Sequence, residues 1–334
     1  MRFSRTITTS GSLLFLFFFL YSTYLLAPIG VEGGSARVIT VTSGMGVEEI
    51  AELLAGGNLI RSKNAFKAYG IVSGSAHTLK PGLYPITTAM STPKIVKMIA
   101  AGPADLVVVV TEGKTLKDID DQFSELGLIA AGEIAKFPVN AFTEKYPFLA
   151  KAKTLEGFLF PDTYRISPDA TAGDIVNKML ENFTIKALPL FGRTGDELSP
   201  DWYNNLILAS LIEREVPFSE DRRIVSGIFQ KRLKIGIPLQ VDATIVYLAC
   251  EGRSKGCDPL TKSNFRIQSK VNTYLHRGIP PFPIANPGSD AIIAARNPKT
   301  SDFLYYLSAP QTQQTIFSKT LEEHNEHRAQ YLHL

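Results

Sequence analysis

The sequence predicts an α+β protein: an apolar N-terminal helix, a small α+β module, then a larger mixed α/β domain. Three observations lead there. Leu13 to Leu26 carries no charged residue and is followed by none until Glu32. Residues 37–103 read as strand, helix, helix, strand, helix. From residue 104 onward short apolar strands are interspersed with longer amphipathic helices, centred on one helix that ends at Glu215. The chain has 334 residues, 45% of them hydrophobic. That is enough for a membrane segment plus about two domains, and too apolar for disorder.

The apolar run comes first. Leu13 to Val31 spans roughly 28 Å as a helix, close to the ~30 Å hydrocarbon core of a bilayer. Arg2 and Arg5 on its short N-terminal side place residues 1–12 in the cytoplasm and make 13–31 the anchor. A cleaved signal peptide is the competing reading, with Gly34-Ser-Ala36 as a late cleavage site. Both readings export the rest of the chain.

The module at 37–103 begins with alternation at Val38-Ile-Thr-Val41, a strand pattern. Ser43-Gly-Met-Gly46 is a turn. Val47, Ile50, Ala51 and Leu54 then fall at helical spacing. A second helix follows at about Lys63 to Tyr69, a strand after Pro81-Gly82, and a helix from Thr92 with Pro93 in its first turn. Nothing in the module is catalytic. Leu106-Val-Val-Val-Val110 starts the second domain, 104–334, as a buried strand. It repeats the earlier order: strand, Gly-containing turn, amphipathic helix (Leu116 to Leu126), then Gly127-Leu-Ile129 against Asn58-Leu-Ile60. An internal repeat and two unrelated βα units both fit.

Leu155 to Arg165 mixes aromatics with a Pro-Asp turn. It reads either as a packed aromatic face or as one wall of a sugar-binding groove. Asp174 to Leu188 is helical, and Ser199-Pro200 should open the central helix. On that helix Leu208, Leu211 and Ile212 form an apolar stripe, and Glu215 takes its next position. Pro217 pushes Val216 out of the helical region, so the helix closes there. Burial and the negative end of the helix dipole both disfavour a charged Glu215, which suggests a general acid. A solvated last turn is the plainer alternative. Glu213 is the rival carboxylate, on the smaller stripe of Leu206, Ala209 and Ser210, a face expected to border solvent or a groove.

Beyond a long helix at Glu220 to Leu233, Gly236 to Thr244 reads as extended, with Gln240, Asp242 and Thr244 on one side. That side is a solvent face or the lining of a polar cleft. Cys250 and Cys257 lie in a loop, and export favours their oxidation to a disulfide over two free thiols. Gly278 to Gly288 is a rigid loop. Asp290 to Arg296, Phe303 to Leu307 and Lys319 to Leu332 complete the chain as helix, strand and helix.

Several chemistries are set aside. A net charge of +3 without a basic, aromatic-interleaved stripe gives no nucleic-acid surface. The phosphate-binding loop and the nucleophile elbow are both missing. His324, His327 and His333 lack the further ligands that a zinc site needs. Neither metal nor cofactor is expected.

Five segments together resemble the YceG-like endolytic murein transglycosylases. They are Glu156-Gly-Phe-Leu-Phe-Pro-Asp-Thr-Tyr164, Ala209-Ser-Leu-Ile-Glu-Arg-Glu215, Leu239-Gln-Val-Asp-Ala-Thr244, Asn272-Thr-Tyr274, and Gly278-Ile-Pro-Pro281 with Ile284-Ala-Asn-Pro-Gly288. The resemblance runs from about residue 38 to the C-terminus and departs at Phe282 and Thr315. It implies a LysM-like module at 37–103 and a catalytic domain at 104–334. It implies Glu215 as the catalytic residue, with Glu213, Gln240, Asp242, Asn272, Tyr274 and Glu156 at the substrate. The implied activity is that of a lyase of the cytoplasmic membrane. It would cut the N-acetylmuramic acid to N-acetylglucosamine bond inside peptidoglycan strands on the outer side, leaving a 1,6-anhydro end. Cell-wall synthases are the implied protein partners. A hydrolase of the same bond, with Asp242 as second carboxylate, and a non-catalytic peptidoglycan-binding membrane protein are the alternatives.

Overall fold

The computed structural model describes residues 16–30, 36–194, 197–257, 259–309, 312 and 314–332. It is a mixed α+β structure whose contacts divide it into two units. One holds the described residues up to 106 together with 167–169; the other holds 107–166 and 170 onward.

The first unit starts with helix α1 at 16–26. Most of its apolar side chains, among them Phe17, Phe18 and Phe19, are exposed, and Leu25 and Leu26 are half-buried. Among the described residues no helix is long and apolar enough to cross a membrane. Residues 13–15 and 31 of the expected anchor lie outside the described residues. After α1, Arg61 donates to the Pro28 carbonyl at 2.7 Å and to the Tyr24 hydroxyl at 3.0 Å.

A compact module follows. Strand β1 (Arg37–Val41) pairs antiparallel with β2 (Gly82–Ile86), Ile39 opposite Tyr84. Helices α2 (Val47–Gly56), α3 (Lys63–Val72) and α4 (Thr92–Ala101) close over the pair. Ile50, Leu54, Phe66, Tyr84, Ile86, Ile95 and Ile99 form its core, each 1% exposed or less. At about 25 cal/mol per Å² of apolar surface, this burial is the module's main stabilisation.

The second unit begins with the same motif. β3 (Leu106–Val110) leads through a turn into α5 (Leu116–Glu125), and β3 pairs with β4 (Asp162–Ile166), which leads into α6 (Ala172–Asn182). The two copies share backbone details. Gly44 and Gly113 take φ of +92° and +75° in the strand–helix turns, and Asn58 and Gly127 take +52° and +70° after the helices. Leu59 N–H donates to Leu54 O at 2.9 Å, as Leu128 N–H does to Phe123 O at 3.1 Å. Tyr84 donates its hydroxyl to the Lys80 carbonyl, four residues back, as Tyr164 does to Phe160. Of the two readings left open by the sequence, the internal repeat is the one these shared bonds favour.

The remainder of this unit is helical. α6 runs on through a π turn, Phe183–Ala187, and a 3₁₀ turn, Leu188–Phe191. The two-residue strands β5 (Arg193–Thr194) and β6 (Glu197–Leu198) form a hairpin before α7 (Trp202–Glu215). The helix therefore starts two residues later than Ser199-Pro200 suggested, with Asp201 at its N-cap. α8 (Ser219–Ile235), α9 (Asp242–Ala249) and α10 (Ser289–Arg296) follow. The hairpin β7 (Tyr305–Ser308) and β8 (Thr315–Ser318) and the terminal α11 (Leu321–Leu332) end the chain. α10 packs on α7 and α8. Beneath them lie Phe148, Phe158, Phe183, Phe191 and Trp202, with Phe148 and Phe183 rings 5.2 Å apart. Leu155 to Phe160 is therefore mostly packed aromatic interior.

Candidate active site

α7 is the centre of the second unit because it is buried around its whole circumference. Every residue from Leu206 to Ile212 is buried. The helix stops where the sequence said, since Val216, ahead of Pro217, is extended at φ −139° and ψ 135°. Its last residue is Glu215.

The Glu215 carboxylate is held between two donors. Tyr306 on β7 donates its hydroxyl to Oε2 at 2.7 Å. The backbone N–H of Ala243, in the first turn of α9, reaches Oε1 at 3.4 Å. Burial pushes its pKa up to about 7, the neighbouring Asp242 charge adds to the rise, and the Tyr306 hydrogen bond counteracts it. An acid tuned there is half protonated at neutral pH and can both give and take a proton.

Glu215 sits where two grooves meet. One, of about 890 Å³, runs past Thr111, Glu112, Pro161, Asp162 and Glu213. The other, of about 760 Å³, runs past Gln240, Asp242, Tyr274, Tyr306 and Arg328. Arg214, Glu215 and Ser308 line both.

The other expected site residues divide. Gln240, Asp242 and Tyr274 face the second groove with Glu215. The Tyr274 hydroxyl donates to Asp242 Oδ1. Burial and the Asp242 charge raise the Tyr274 pKa, so the phenol stays protonated and keeps donating. These residues do not share a strand face, which corrects the reading of 236–244 as extended throughout. Gln240 has φ +53°, and a helix starts at Asp242. A left-handed residue breaks strand alternation, so Thr244 turns inward, bonded to Val241 O at 2.7 Å and close to the Thr273 hydroxyl.

Asn272 is fully buried. Its Nδ2 donates to Phe265 O and Ile267 O at 3.1 and 3.0 Å, and its Oδ1 accepts from Tyr274 N–H at 2.9 Å. It shapes the loop that presents Tyr274. Glu156, also buried, accepts from Leu116 N–H at 2.8 Å, Tyr247 hydroxyl at 3.3 Å and Asn286 Nδ2 at 3.4 Å. Burial pushes it up to about 8, against the pull of those donors. It caps α5 from inside the unit and does not line either groove.

The stripe expected to border solvent or a groove is buried at Leu206, Ala209 and Ser210 and meets a groove at Glu213. Only the tip of Glu213 reaches the first groove. Its side chain is 4% exposed and pairs with Arg222 at 2.6 Å, while Gly288 N–H donates to Oε2 at 2.9 Å. Burial raises its pKa and Arg222 opposes the rise.

Tyr306, the Ala243 N–H and Arg232 were not legible in advance. Arg232 is buried and bonded to the carbonyls of Leu304 and Leu239, both at 2.8 Å. Tyr306 is 91 residues from its partner along the chain, and one exposed-looking tyrosine in a hairpin carries no distinguishing signal. Among the described residues, Cys250 and Cys257 are joined in a disulfide. The loop they close holds Ser254, whose carbonyl accepts from Arg214 at 2.8 Å and whose N–H meets Asp118 of α5. Thr315 is buried in β8 opposite Ser308, and Phe282 packs edge-on against Tyr247. Among the described residues no cluster of three or more His, Cys, Asp or Glu could hold a metal ion.

One carboxylic acid pushed up to about 7, at the junction of two grooves, is the arrangement an acid–base enzyme needs. The YceG-like family model matches residues 39–330. An endolytic murein transglycosylase of Bacillus subtilis (strain 168) is 32% identical over 331 residues, covering 94% of this chain and 90% of that protein. One of Streptococcus pneumoniae (strain R6) is 27% identical over 344 residues, and the match spans 62% of its length. A crystal structure of a putative YceG-like protein from Listeria monocytogenes superposes with a TM-score of 0.57 at 28% identity, over 88% of this chain and 99% of that one. The chain belongs to the YceG-like family of endolytic murein transglycosylases and is an enzyme of the lytic transglycosylase type, a lyase.

Proposed function

We propose that the chain is a membrane-anchored endolytic transglycosylase of peptidoglycan, with Glu215 as its acid and base. The observation that carries this reading is Glu215 itself, pushed up to about 7 and held by Tyr306 and Ala243 where the two grooves meet. Protonated Glu215 gives its proton to the oxygen of the bond between N-acetylmuramic acid and N-acetylglucosamine, and the bond breaks. The resulting carboxylate takes the proton of the muramoyl 6-hydroxyl as that oxygen closes on C1. The products are a free 4-hydroxyl and a 1,6-anhydro end, and no water is consumed. One carboxyl serves both steps, whereas hydrolysis normally needs two. Asp242, engaged by Tyr274, is the group that would have to serve as the second. In this reading Gln240, Asp242 and Tyr274 orient the sugar. Glu213, Glu156 and Asn272 hold the frame behind it.

Mass spectrometry of purified glycan strands after incubation with the enzyme tests the reaction. Anhydro ends from internal cuts are expected, and reducing ends would mean hydrolysis.

The apolar run from Leu13 supports a retained anchor, with the module at 37–103 LysM-like and the catalytic domain outside the cytoplasmic membrane, near cell-wall synthases. A reporter fused behind residue 334 should then be active only outside the cytoplasm. Cytoplasmic activity would refute the topology.

A further inference from the structure

The two grooves that meet at Glu215 differ in charge. The first carries Glu112, Asp162 and Glu213, of which Asp162 is paired with Lys186 and Glu213 with Arg222, while Arg214 lines both grooves. The second carries Arg232, Arg328 and His324. Among the described residues none of these three has a carboxylate within 4 Å. Arg232 is satisfied by carbonyl oxygens alone, and its guanidinium lies 5.1 Å from the Tyr305 ring centre. Carbonyls fix its geometry and leave its charge uncompensated. His324 stacks on the same ring at 5.3 Å, and its Nδ1 is buried with no hydrogen-bond partner among the described residues. Arg328 is exposed one turn further along α11, close enough to Tyr274 and His324 to act on both through its charge. The two acids of this groove are already engaged, Asp242 by Tyr274 and Glu215 by Tyr306.

We propose that this end of the second groove is an anion subsite that takes a carboxylate of the muramoyl unit, so that the muramoyl side of the cut bond lies over Asp242 and Tyr274. The inference rests on the functional reading above. In a glycan strand only the muramic acid carries carboxylates, either on its lactyl arm or on a stem peptide attached to it. An unpaired guanidinium in a walled cleft attracts such a group over several ångströms and can bind it through two parallel hydrogen bonds. The first groove, whose Asp162 and Glu213 are already paired with Lys186 and Arg222, offers it no unpaired cation beyond the Arg214 that both grooves share. The charge difference therefore sets which way round a strand lies across Glu215.

The test uses the Glu215→Gln protein, which binds without cutting, and measures strand affinity at equilibrium. Four probes are compared: strands stripped of peptide, strands carrying stem peptides, and each of these with its carboxyls converted to neutral methylamides. The charged form of at least one strand type should bind about three- to tenfold tighter than its neutralised form, the range of one or two partly exposed ion pairs. The preference should shrink with added salt. A preference seen on stripped strands assigns the lactyl carboxylate, and one seen only on peptide-bearing strands assigns the stem. Adding Arg328→Gln should bring the ratio toward one, while Arg328→Lys should retain most of it. Equal binding of charged and neutral strands, or a ratio untouched by Arg328→Gln, overturns the subsite and leaves the transglycosylase reading standing. Failure to bind any strand would sink both.

Discussion

The chain contains nearly the same motif twice, and only the second copy lines a groove with Glu215. In the first copy the turn at 42–44 is open to solvent, and Ile50, Leu54 and Tyr84 close a core of their own. In the second copy the matching turn is bonded to Asn286 and to Arg214, the residue before Glu215. Gly113 N–H donates to Asn286 O at 2.9 Å, Lys114 O accepts from Asn286, and Gly113 O accepts from Arg214. Where the first copy has α3 between its helix and its second strand, the second has the segment that carries Glu156 up to the start of α5. A frame fixed by a few backbone hydrogen bonds tolerates a rebuilt connection. The two copies agree in the bonds of the frame and differ at the connection and at the turn.

The largest expected effect falls on α7, the helix that the second turn holds. Glu215→Gln keeps shape and removes the transferable proton. Loss of a general acid–base typically costs about 10²–10⁴-fold, and one residue here serves both steps, so the upper end is expected. Its melting temperature should hold or rise, because a buried ionisable group becomes a neutral amide. Glu213→Gln should do the reverse. It leaves Arg222 buried without its partner, a loss of about 3–5 kcal/mol in stability, with the rate falling far less than for Glu215→Gln. Rates of anhydro-end formation measured beside melting temperatures separate the two. A folded but inactive Glu213→Gln protein with an active Glu215→Gln would exchange their roles.

How far this contrast was legible in sequence depends on which residues are considered. Glu215 was readable because Leu208, Leu211 and Ile212 lead to it and Pro217 ends the helix behind it. The two βα openings were readable from Gly44, Gly113 and their amphipathic helices. The groove beside Glu213 was readable from its stripe, but the burial of Leu206, Ala209 and Ser210 was not, because periodicity assumes one wet face, and Leu206 to Ile212 have none. Asp242 was placed in a strand because Leu239 and Val241 alternate with polar neighbours. The left-handed Gln240 that ends the alternation is set by tertiary contacts, including its N–H bond to Thr273 O at 3.1 Å. Tyr306 and Arg232 act through partners distant in sequence, and local pattern holds no trace of such pairs.

The copies should also differ in their response to pH. Among its described residues the first module has no buried carboxylate, whereas the second unit holds Glu156 at about 8, raised from 4.5 by burial. A raised acid pKa means that the folded state holds the proton more tightly than the unfolded one. Its contribution is complete below pH 4.5 and is lost as pH rises through about 8. Glu215 and Glu213 act in the same direction. Unfolding free energy of the second unit should therefore fall between pH 5 and 8, with Glu156 alone contributing on the order of 1 kcal/mol per unit, below the limit of about 1.4 for one proton, and the other two acids adding to it. Glu156→Gln should flatten the slope, and chemical denaturation at both pH values measures it. An unchanged slope would remove Glu156 as its source.

The smallest effect is the most direct comparison of the two turns. Gly44 and Gly113 both have positive φ, so alanine strains either by about 1–2 kcal/mol. Space does not separate them: a Cβ at Gly44 meets nothing within 4 Å, and at Gly113 it meets Arg214 and Glu213 side chains at ordinary distances of 3.5 and 3.6 Å. Stability losses should be similar. Activity should not be, because only the Gly113 turn is bonded to Asn286 and Arg214, and Arg214 is adjacent to Glu215. A shift of about 1 Å in a supporting group can cost around 10²-fold, and a strained turn that relaxes partway should cost about three- to tenfold. Gly44→Ala should leave the rate of anhydro-end formation within twofold of the parent. Equal rates in the two variants, at matched losses of melting temperature, would mean that the second turn is as passive as the first and that Arg214 is positioned by the disulfide loop through Ser254 alone.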